Sequence, residues 1–450
     1  MKASLKETTR ETTRETTTDS LDSALALSHP YGRPSEWASS EAGIIMDRCD
    51  QLAGFSQMKH GIERTYLSPE MKSAYQLTGS WMKEAGLTVH IDPAGNLVGK
   101  VEGRENGLPA LVLGSHLDSV PDAGRYDGIL GVVSAIAVAK RLTTSGLMNR
   151  LPFSLEVVGF GDEEGARFGA TLLGSYALAG SWNREWLNLK DADGISMREA
   201  FLDFGLDPDD VGKAALSPAD AFGYMELHIE QGPILESRDR SLSFVSSIAA
   251  ASRYVITVTG ESRHIATPYN LRRDALTAAA EMIESIDRIS REAGARSNVG
   301  EISAFPGGVN VIAGTTTFSL DVRAGTDDIR DSTLAAMWNA IDTICTSRKV
   351  SVERKLIHTA SAVTCDTQLR SCIAEGIEKA EGKDAFGLVS FPGHDGMAVS
   401  DLLPIAMLYV RCKGGISHSP DESVRDIDVA LGIDAFEQAV ETLAARFDQA

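Results

Sequence analysis

The spacing of apolar and polar positions divides the chain into blocks with different periodicities. In residues 69–161, short apolar runs such as ALVLGS (110–115) alternate with helix-like segments such as GILGVVSAIAVAKRL (128–142). Apolar runs of this length are typical of strands buried on both faces. The alternation predicts an α/β arrangement with a mainly parallel sheet, in which ligands bind beyond the carboxyl ends of the strands.

The middle of the chain has a different pattern. RYVITVTG (253–260) alternates apolar and polar residues. With a helix at about 272–293, strands near 298–304 and at 315–324, a helix at about 328–346 and a strand at 350–358, it gives the order β-α-β-β-α-β. This order predicts a four-stranded sheet with two helices on one face. Helix–strand alternation resumes from about residue 366. We therefore predict a discontinuous catalytic domain (24–248 and 359–450) interrupted by an inserted α+β domain (249–358).

The first residues have no such pattern. Residues 1–23 repeat Glu-Thr-Thr-Arg with almost no apolar side chains, which predicts a disordered tail rather than a transit peptide or secretory signal. No apolar stretch is long enough to span a membrane. The five scattered cysteines form no CxxC pair and favour a reducing compartment, so we expect a cytoplasmic protein. The net charge of −20 argues against nucleic-acid binding.

Candidate chemistry lies in glycine-containing stretches that each carry a metal-ligand residue. The stretches are GSHLDSVPDAGRYDG (114–128), GDEEGARFG (161–169), ELHIEQGPILE (226–236), SFPGHDG (390–396) and GGISHSP (414–420). The candidate ligands that they supply are His116, Asp127, Glu164, His228 and His418. Imidazoles combined with two carboxylates form a set that a pair of zinc-like ions can share. Taken singly, each residue has an ordinary alternative, such as a core histidine, a helix cap or a solvated acidic loop.

Two further residues have a stated physical reason to join such a site. Asp118 lies two positions after His116 and could accept the other N–H of its imidazole, which would fix the tautomer. Arg323 ends the strand TTTFSLDVRA (315–324) and could clamp a substrate carboxylate in a bidentate manner. The alternative for Arg323 is a surface arginine at the end of a strand.

Several motifs together resemble one enzyme family. ELHIEQGPILE, NVIAG…DVR (310–323) and GISHSP (415–420) resemble the hydantoinase/carbamoylase family of amidohydrolases, within the aminoacylase and carboxypeptidase-G-like group of dinuclear metallopeptidases. The resemblance extends from about residue 49 to about residue 445. It implies a zinc-peptidase-like catalytic domain, an inserted lid that also forms a homodimer, and two divalent ions per subunit. The family hydrolyses N-carbamoyl amino acids, 3-ureidopropionate or allantoate.

The resemblance also implies a role for each matching residue. His116, Asp127 and His228 would bind one ion, and the bridging Asp127 would bind the other together with Glu164 and His418. Glu163 matches the general base. His264 matches the lid histidine that stabilises the oxyanion, usually from the partner subunit. The substrate-binding residues implied are Gln231, Asn310, Arg323 and His394. The histidines that match no motif are expected to be structural: His29, His60, His90 and His358.

Departures from the family pattern concern the substrate rather than the metal ligands. The lid segment RHIATPYNLRRDA (263–275) lacks a usual glycine and is one residue short, which shortens the loop that carries His264. Phe391 and Pro392 replace small residues, and Ala313 stands where proline is usual. These departures admit a substrate outside the three common ones.

These observations predict a metal-dependent amidohydrolase. It would cleave the carbamoyl C–N bond of an N-carbamoyl-L-amino acid, or a similar small carboxylated amide, by attack of a metal-bound hydroxide. The donor set admits zinc, manganese, cobalt or nickel. The alternatives are allantoate hydrolysis, hydrolysis of an N-acyl or aromatic amino acid amide, and a catalytically silent binding protein. The complete ligand set argues against the last.

Overall fold

The computed structural model describes residues 32–447, and the predicted tail at 1–23 lies outside this range. The helices are α1 Glu36–Ala53, α2 Pro69–Glu84, α3 Ile129–Thr144, α4 Leu173–Leu178, α5 Met197–Phe204, α6 Ile234–Ser237, α7 Ala275–Ala293, α8 Asp327–Arg348, α9 Thr367–Glu381, α10 Gly396–Val399 and α11 Asp426–Phe447. The strands are β1 Thr88–Ile91, β2 Leu97–Val101, β3 Ala110–His116, β4 Ser154–Phe160, β5 Ala221–Ile229, β6 Leu242–Ile248, β7 Ala250–Thr259, β8 Arg263–His264, β9 Arg296–Asn298, β10 Ile302–Phe305, β11 Val311–Ile312, β12 Thr315–Ala324, β13 Ser351–Ala360, β14 Val363–Thr364, β15 Gly387–Ser390 and β16 Ile405–Val410. No helix within residues 32–447 is both long and apolar enough to cross a membrane.

Strands from both ends of the described chain form one large sheet. Its order is β1-β2-β4-β3-β5-β16-β6-β14, with β15 beside β6, which makes nine strands within residues 32–447. Every residue of β3, β4 and β16 is buried. In β3, Leu111 and Leu113 pack into a core on one face, while Val112 packs into the core on the other. This burial on both faces is what the short apolar runs of the sequence predicted, and it confirms the α/β class.

The sheet is mixed, so the expectation of a mainly parallel sheet is wrong at its flanks. The central pairs β4-β3, β3-β5 and β5-β16 are parallel, as is β15-β6. The outer pairs β1-β2, β2-β4, β16-β6 and β6-β14 are antiparallel. A short turn between β1 and β2 permits only an antiparallel hairpin, because parallel strands need a longer crossover.

The middle block forms a separate antiparallel sheet, which we call the lid sheet. Its order is β10-β12-β7-β13, with the short β9 beside β12. One face packs on α7 and α8 through side chains such as Ile256, Phe318 and Leu320. The sheet has five strands in the described range rather than the predicted four. The structure has two strands, β9 and β10, where one was predicted near 298–304, and between them the N–H groups of Gly300 and Glu301 donate to the Ser319 hydroxyl.

The lid sheet interrupts the chain that forms the large sheet. The chain leaves the large sheet after Ile248 and returns to it at Val363. The predicted domain limits at 24–248, 249–358 and 359–450 remain predictions. The interruption means that a site near β5 and β16, which pair in the large sheet, can draw on residues from both sides of the lid sheet.

Candidate metal centre and active site

Candidate ligands meet at one edge of the large sheet. β3, β4, β5 and β16 run parallel, so their carboxyl ends lie at the same edge. β3 ends at His116 and β5 carries His228 near its end. The acidic segment 162–164 follows β4, and the loop with His418 follows β16. Residues that are distant in sequence therefore lie close together in space.

The Asp127 carboxylate is the centre of this arrangement. Its Oδ1 lies 3.7 Å from His116 Nε2 and 3.1 Å from His228 Nε2, and its Oδ2 lies 3.0 Å from His418 Nε2. His418 Nε2 is also 3.2 Å from Glu164 Oε1. The ligand atoms of His116, Asp127 and His228 all lie within 4.8 Å of one another, as do those of Asp127, Glu164 and His418. These two groups contain the same residues as the two ligand sets that the family resemblance implies, and they share Asp127.

The imidazoles are oriented as metal ligands would be. His116 Nδ1 lies 3.1 Å from the Asp118 carbonyl oxygen, and His228 Nδ1 lies 2.9 Å from the Ile229 carbonyl oxygen. A carbonyl can only accept, so each Nδ1 donates a proton, and Nε2 is the ring atom left to bind an ion in place of a proton. The buried His228 Nε2 lies 3.1 Å from Asp127 Oδ1, but it makes no hydrogen bond of good geometry within the described part of the chain. This nitrogen therefore fits a metal ion, which would complete its bonding.

Charge at the centre also favours cations. Although burial opposes it, contacts with His116, His228 and His418 hold the pKa of Asp127 well below its usual range. Hydrogen bonds to Asp127 and Glu164 raise the pKa of His418 to about 10. The carboxylates thus favour positive charge close by, and divalent ions could supply it in place of protons. Imidazole and carboxylate donors fit zinc, manganese, cobalt or nickel.

Asp118 makes the contact predicted for it in a modified form. Its backbone oxygen, rather than its carboxylate, is the nearer partner of His116, since the carboxylate Oδ1 lies 3.5 Å from Nδ1. The carboxylate accepts the backbone N–H groups of Glu163 and Glu164, each at 3.1 Å. Asp118 therefore connects the loop after β3 to the loop after β4.

Glu163 lies beside the ligands without belonging to either triplet around Asp127. Its carboxylate is within 4.8 Å of the ligand atoms of His116 and Glu164. Burial and the adjacent Glu164 raise the pKa of Glu163 well above its usual range. A carboxyl group that binds a proton readily and borders a cavity is suited to general acid–base work.

A cavity of about 850 Å³ separates the metal centre from the lid sheet. The metal-ligand residues and Glu163 line one side, and Arg323 lines the lid side. Phe391 and Pro392, which depart from the family pattern, also line it. The cavity is large enough for a small-molecule substrate.

Three residues predicted to bind substrate line this cavity. Gln231 donates its amide N–H to Asp127 Oδ2 at 2.8 Å. Arg323 donates to both oxygens of Asp321 at 3.1 Å and to the Phe391 carbonyl at 2.6 Å. The ring of His394 is buried 4.5 Å from the ring of His228, and burial followed by the proximity of His228 lowers its pKa well below the usual range. His394 is therefore a neutral imidazole.

The other two lid residues lie elsewhere. The exposed His264 ends β8, and the exposed Asn310 directly precedes β11, with which β8 pairs; the Ile265 N–H donates to the Asn310 carbonyl at 2.9 Å. Neither residue lines the cavity of its own chain. Their predicted contacts with a second subunit remain predictions.

Some residues at the site were not singled out from the sequence. His358, which was expected to be structural, lines the cavity, as does Arg253. Glu422 accepts the N–H groups of Tyr126 at 2.7 Å and Asp127 at 3.2 Å, and Ser417 donates to it at 2.8 Å. Glu422 lies only four residues after His418, but no motif distinguished it from an exposed loop carboxylate.

The fold and this centre together define a zinc-peptidase-like hydrolase. The chain belongs to peptidase family M20/M25/M40, whose model matches residues 112–442. It is 39% identical over 414 residues to the allantoate deiminase of Arabidopsis thaliana, covering 85% of this chain and 78% of that one. It is 38% identical over 390 residues to the N-carbamoyl-L-amino acid amidohydrolase of Geobacillus stearothermophilus, covering 86% and 95%.

Solved structures agree with this assignment. A hydantoinase/carbamoylase family amidase from Burkholderia multivorans aligns with a TM-score of 0.84 and 28% identity, covering 92% of this chain and 98% of that one. A Bacillus subtilis protein described as a dinuclear metal binding peptidase of the M20 family has the same fold, with a TM-score of 0.59 and 15% identity over 90% and 99% of the chains. The family resemblance predicted from the motifs is thus confirmed.

Proposed function

We propose that this protein is a metal-dependent amidohydrolase that cleaves the carbamoyl C–N bond of an N-carbamoyl-L-amino acid or a similar small carboxylated amide. The observation that carries the proposal is the pair of ligand triplets sharing Asp127 at the floor of a cavity. The likeness to N-carbamoyl-L-amino acid amidohydrolases over most of both chains supports it.

The residues that would hold two divalent ions are those of the two triplets. His116, Asp127 and His228 would hold one, and Asp127 would share the other with Glu164 and His418. Bound ions of this kind polarise a substrate carbonyl and lower the pKa of a water molecule towards 7. Asp118 and Glu422 keep the ligand loops in place through backbone N–H groups.

Glu163 would move the proton. In this role its carboxylate takes a proton from the attacking water and returns it to the leaving nitrogen. Its raised pKa suits it to hold that proton between the two transfers. Hydrolysis of a carbamoyl group would release the amino acid, ammonia and carbon dioxide.

Arg323 would bind the substrate carboxylate from the lid side. Asp321 and the Phe391 carbonyl hold the plane of its guanidinium, which leaves other N–H groups for a ligand. His264 and Asn310 would reach the site from the lid of a second subunit, so the proposal includes a homodimer. It also includes a cytoplasmic location.

Allantoate is a second candidate substrate that needs the same chemistry. The likeness to plant allantoate deiminases, at 37–39% identity over 85% of this chain, favours it. Allantoate carries one carboxylate and two ureido groups, and a cavity of about 850 Å³ has room for both.

A direct test is a substrate screen on enzyme loaded in turn with zinc, manganese, cobalt and nickel. The substrates are N-carbamoyl-L-amino acids, allantoate and N-acetyl-L-amino acids, and the readouts are ammonia, free amino acid and carbon dioxide. We expect equal amounts of ammonia and amino acid from at least one carbamoyl substrate. Hydrolysis of N-acetyl substrates alone, or no ammonia from any ureido compound, would show that the proposal is wrong.

A further inference from the structure

A row of polar side chains crosses the lid sheet on the face away from its helices. In the strand register, Asp321 of β12 lies opposite Arg253 of β7, and Arg253 lies opposite His358 of β13. Residues directly opposite on neighbouring strands point to the same face. The adjacent residue Val322 is buried against the helices, so Asp321, Arg253 and His358 lie on the open face. Arg253 and His358 line the cavity opposite the metal centre.

The next row on the same face contains small residues beside a second arginine. Arg323 lies opposite Ala251, which lies opposite Ala360. Both alanines line the cavity, and their methyl groups extend little above the sheet. The two rows therefore form a hollow with an apolar floor between the guanidinium groups of Arg253 and Arg323.

One carboxylate holds both guanidinium groups. Asp321 accepts Arg253 Nε at 2.9 Å and accepts Arg323 through Nε and Nη2, each at 3.1 Å. Although burial opposes it, Arg323 and then Arg253 hold the pKa of Asp321 below its usual range, so it is ionised. Two positive charges thus share one negative charge, and the cluster retains a net charge of about +1.

The guanidinium of Arg253 has N–H donors that no residue in the described range accepts. Within residues 32–447, Nε is the only guanidinium nitrogen of Arg253 with a hydrogen-bond partner, and its side chain is 52% exposed. Its two terminal nitrogens therefore remain available to a ligand. A planar guanidinium fork matches the oxygens of a carboxylate or a ureido carbonyl.

We infer that Arg253 forms a second binding subsite, whose N–H groups donate to an oxygen-bearing side group of the substrate, best a carboxylate. Arg323 binds the main carboxylate. The inference rests on the proposed function in taking the substrate to be a carboxylated amide. A substrate with an apolar side chain would cover Arg253 without giving its N–H groups a partner, which is unfavourable. The subsite therefore selects substrates by the side group that they carry.

The kinetic test compares two carbamoyl substrates of similar length. N-carbamoyl-L-glutamate carries a side-chain carboxylate, and N-carbamoyl-L-norvaline carries an apolar side chain. In the metal-loaded enzyme we expect Arg253→Ala to lower kcat/KM for the glutamate derivative by about 10- to 100-fold, the usual effect of losing a charged hydrogen bond. The norvaline derivative should change by less than about threefold, because Arg323 still holds the main carboxylate.

Further variants distinguish the subsite from a general effect. Arg253→Lys keeps the positive charge but lacks the planar guanidinium fork. Its kcat/KM for the glutamate derivative should lie between those of the wild type and Arg253→Ala. Lys355→Ala removes an exposed cation from the same face of β13, outside the cavity, and should leave both rates unchanged. A comparable loss with allantoate would extend the subsite to neutral ureido oxygens. Equal losses with both carbamoyl substrates in Arg253→Ala would overturn the inference.

A binding measurement separates this inference from the proposed function. Calorimetry with glutarate and butyrate compares a dicarboxylate with a monocarboxylate without any turnover. The wild-type holoenzyme should bind glutarate about 10-fold more tightly than butyrate, and Arg253→Ala should abolish the difference. If this holds while no ureido compound is hydrolysed, the proposed function fails and the subsite stands. If ureido compounds are hydrolysed but Arg253→Ala leaves glutarate binding unchanged, the subsite fails.

Discussion

At the scale of single residues, the site depends on how the histidine rings are oriented towards the Asp127 carboxylate. Each buried imidazole of β3 and β5 has Nδ1 engaged by a backbone carbonyl, so its Nε2 faces Asp127. A ring turned the other way would give up that hydrogen bond. The backbone around each of these histidines thus sets the orientation of its ring.

Glu163 has the most direct test at this scale. Glu163→Gln preserves size and hydrogen bonding but cannot accept a proton from water. We expect both ions to remain bound, as shown by elemental analysis, and kcat to fall by about 10²- to 10⁴-fold. Turnover at the wild-type rate would remove Glu163 from the role of base. Loss of metal from the variant would instead make it a ligand.

Gly124 gives a second test, which concerns how Asp127 is held. A Cβ on Gly124 would lie 2.2 Å from the Glu422 carboxyl carbon, so no other residue fits while Glu422 keeps its contacts. Glu422 in turn accepts the Asp127 N–H. Gly124→Ala should displace Glu422 and weaken metal binding by about 10- to 100-fold, as measured by metal titration.

The matched control for this prediction is Gly212→Ala. An added Cβ at Gly212 has no neighbour within 4 Å in the described structure, so metal affinity and stability should both stay at the wild-type level. Unchanged metal affinity in Gly124→Ala would show that Glu422 does not position Asp127.

At the scale of elements, local sequence fixes the type of an element better than its ends. The spacing predicts a helix from about residue 272, yet α7 begins at Ala275. The Asp274 carboxylate accepts the N–H groups of Leu276 and Thr277, which caps the helix there. Arg272 instead donates to the carbonyls of Ile265 and Thr267 and braces the lid loop.

Helix α11 carries a carboxyl group whose environment makes stability depend on pH. Glu437 is buried, and burial together with the neighbouring Glu441 raises its pKa to about 7 in spite of Arg141. The folded state therefore holds a proton that the unfolded chain releases near pH 4.5. The stability associated with this group is complete below about pH 4.5 and is lost as the pH rises towards 7.

Replacing that carboxyl group should remove the pH dependence. Glu437→Gln should match the wild type at pH 4.5 and be more stable by about 1–3 kcal/mol at pH 8, as measured by denaturant unfolding at both values. Glu353→Gln makes the same change at an exposed position of β13 and should have no such effect. If Glu437→Gln changed the free energy of unfolding by the same amount at both pH values, Glu437 would not be the source of the pH dependence.

At the scale of the whole molecule, the candidate metal centre joins distant parts of the chain. Its ligands come from β3, β5, the loops after β3 and β4, and the loop after β16. The lid sheet separates the last loop from the rest in sequence. Bound ions would therefore connect segments that the chain itself connects only through the lid.

Metal removal should accordingly lower the stability of the fold. Ions bind the assembled site and not the unfolded chain, so saturating metal should add about 3–4 kcal/mol at 100 to 1,000 times its dissociation constant. Thermal unfolding before and after chelation should show a lower Tm, restored by adding metal back. His228→Ala should reduce this gain. His90→Ala, at an exposed position of β1, should keep it. An identical Tm with and without metal would argue against the site.

The sequence by itself determined the types of most elements, the separate pattern of the middle block and the candidate ligand residues. Periodicity of apolar positions reports which face of an element is buried, and ligand residues occur in short local motifs. Only the tertiary structure decided the antiparallel flanks of the large sheet and the places of Arg253, His358 and Glu422. Arg253 and His358 meet Asp321 through the register of three strands, and Glu422 meets Asp127 across 295 positions. Local sequence does not encode such pairings, because they arise when separate segments pack against one another.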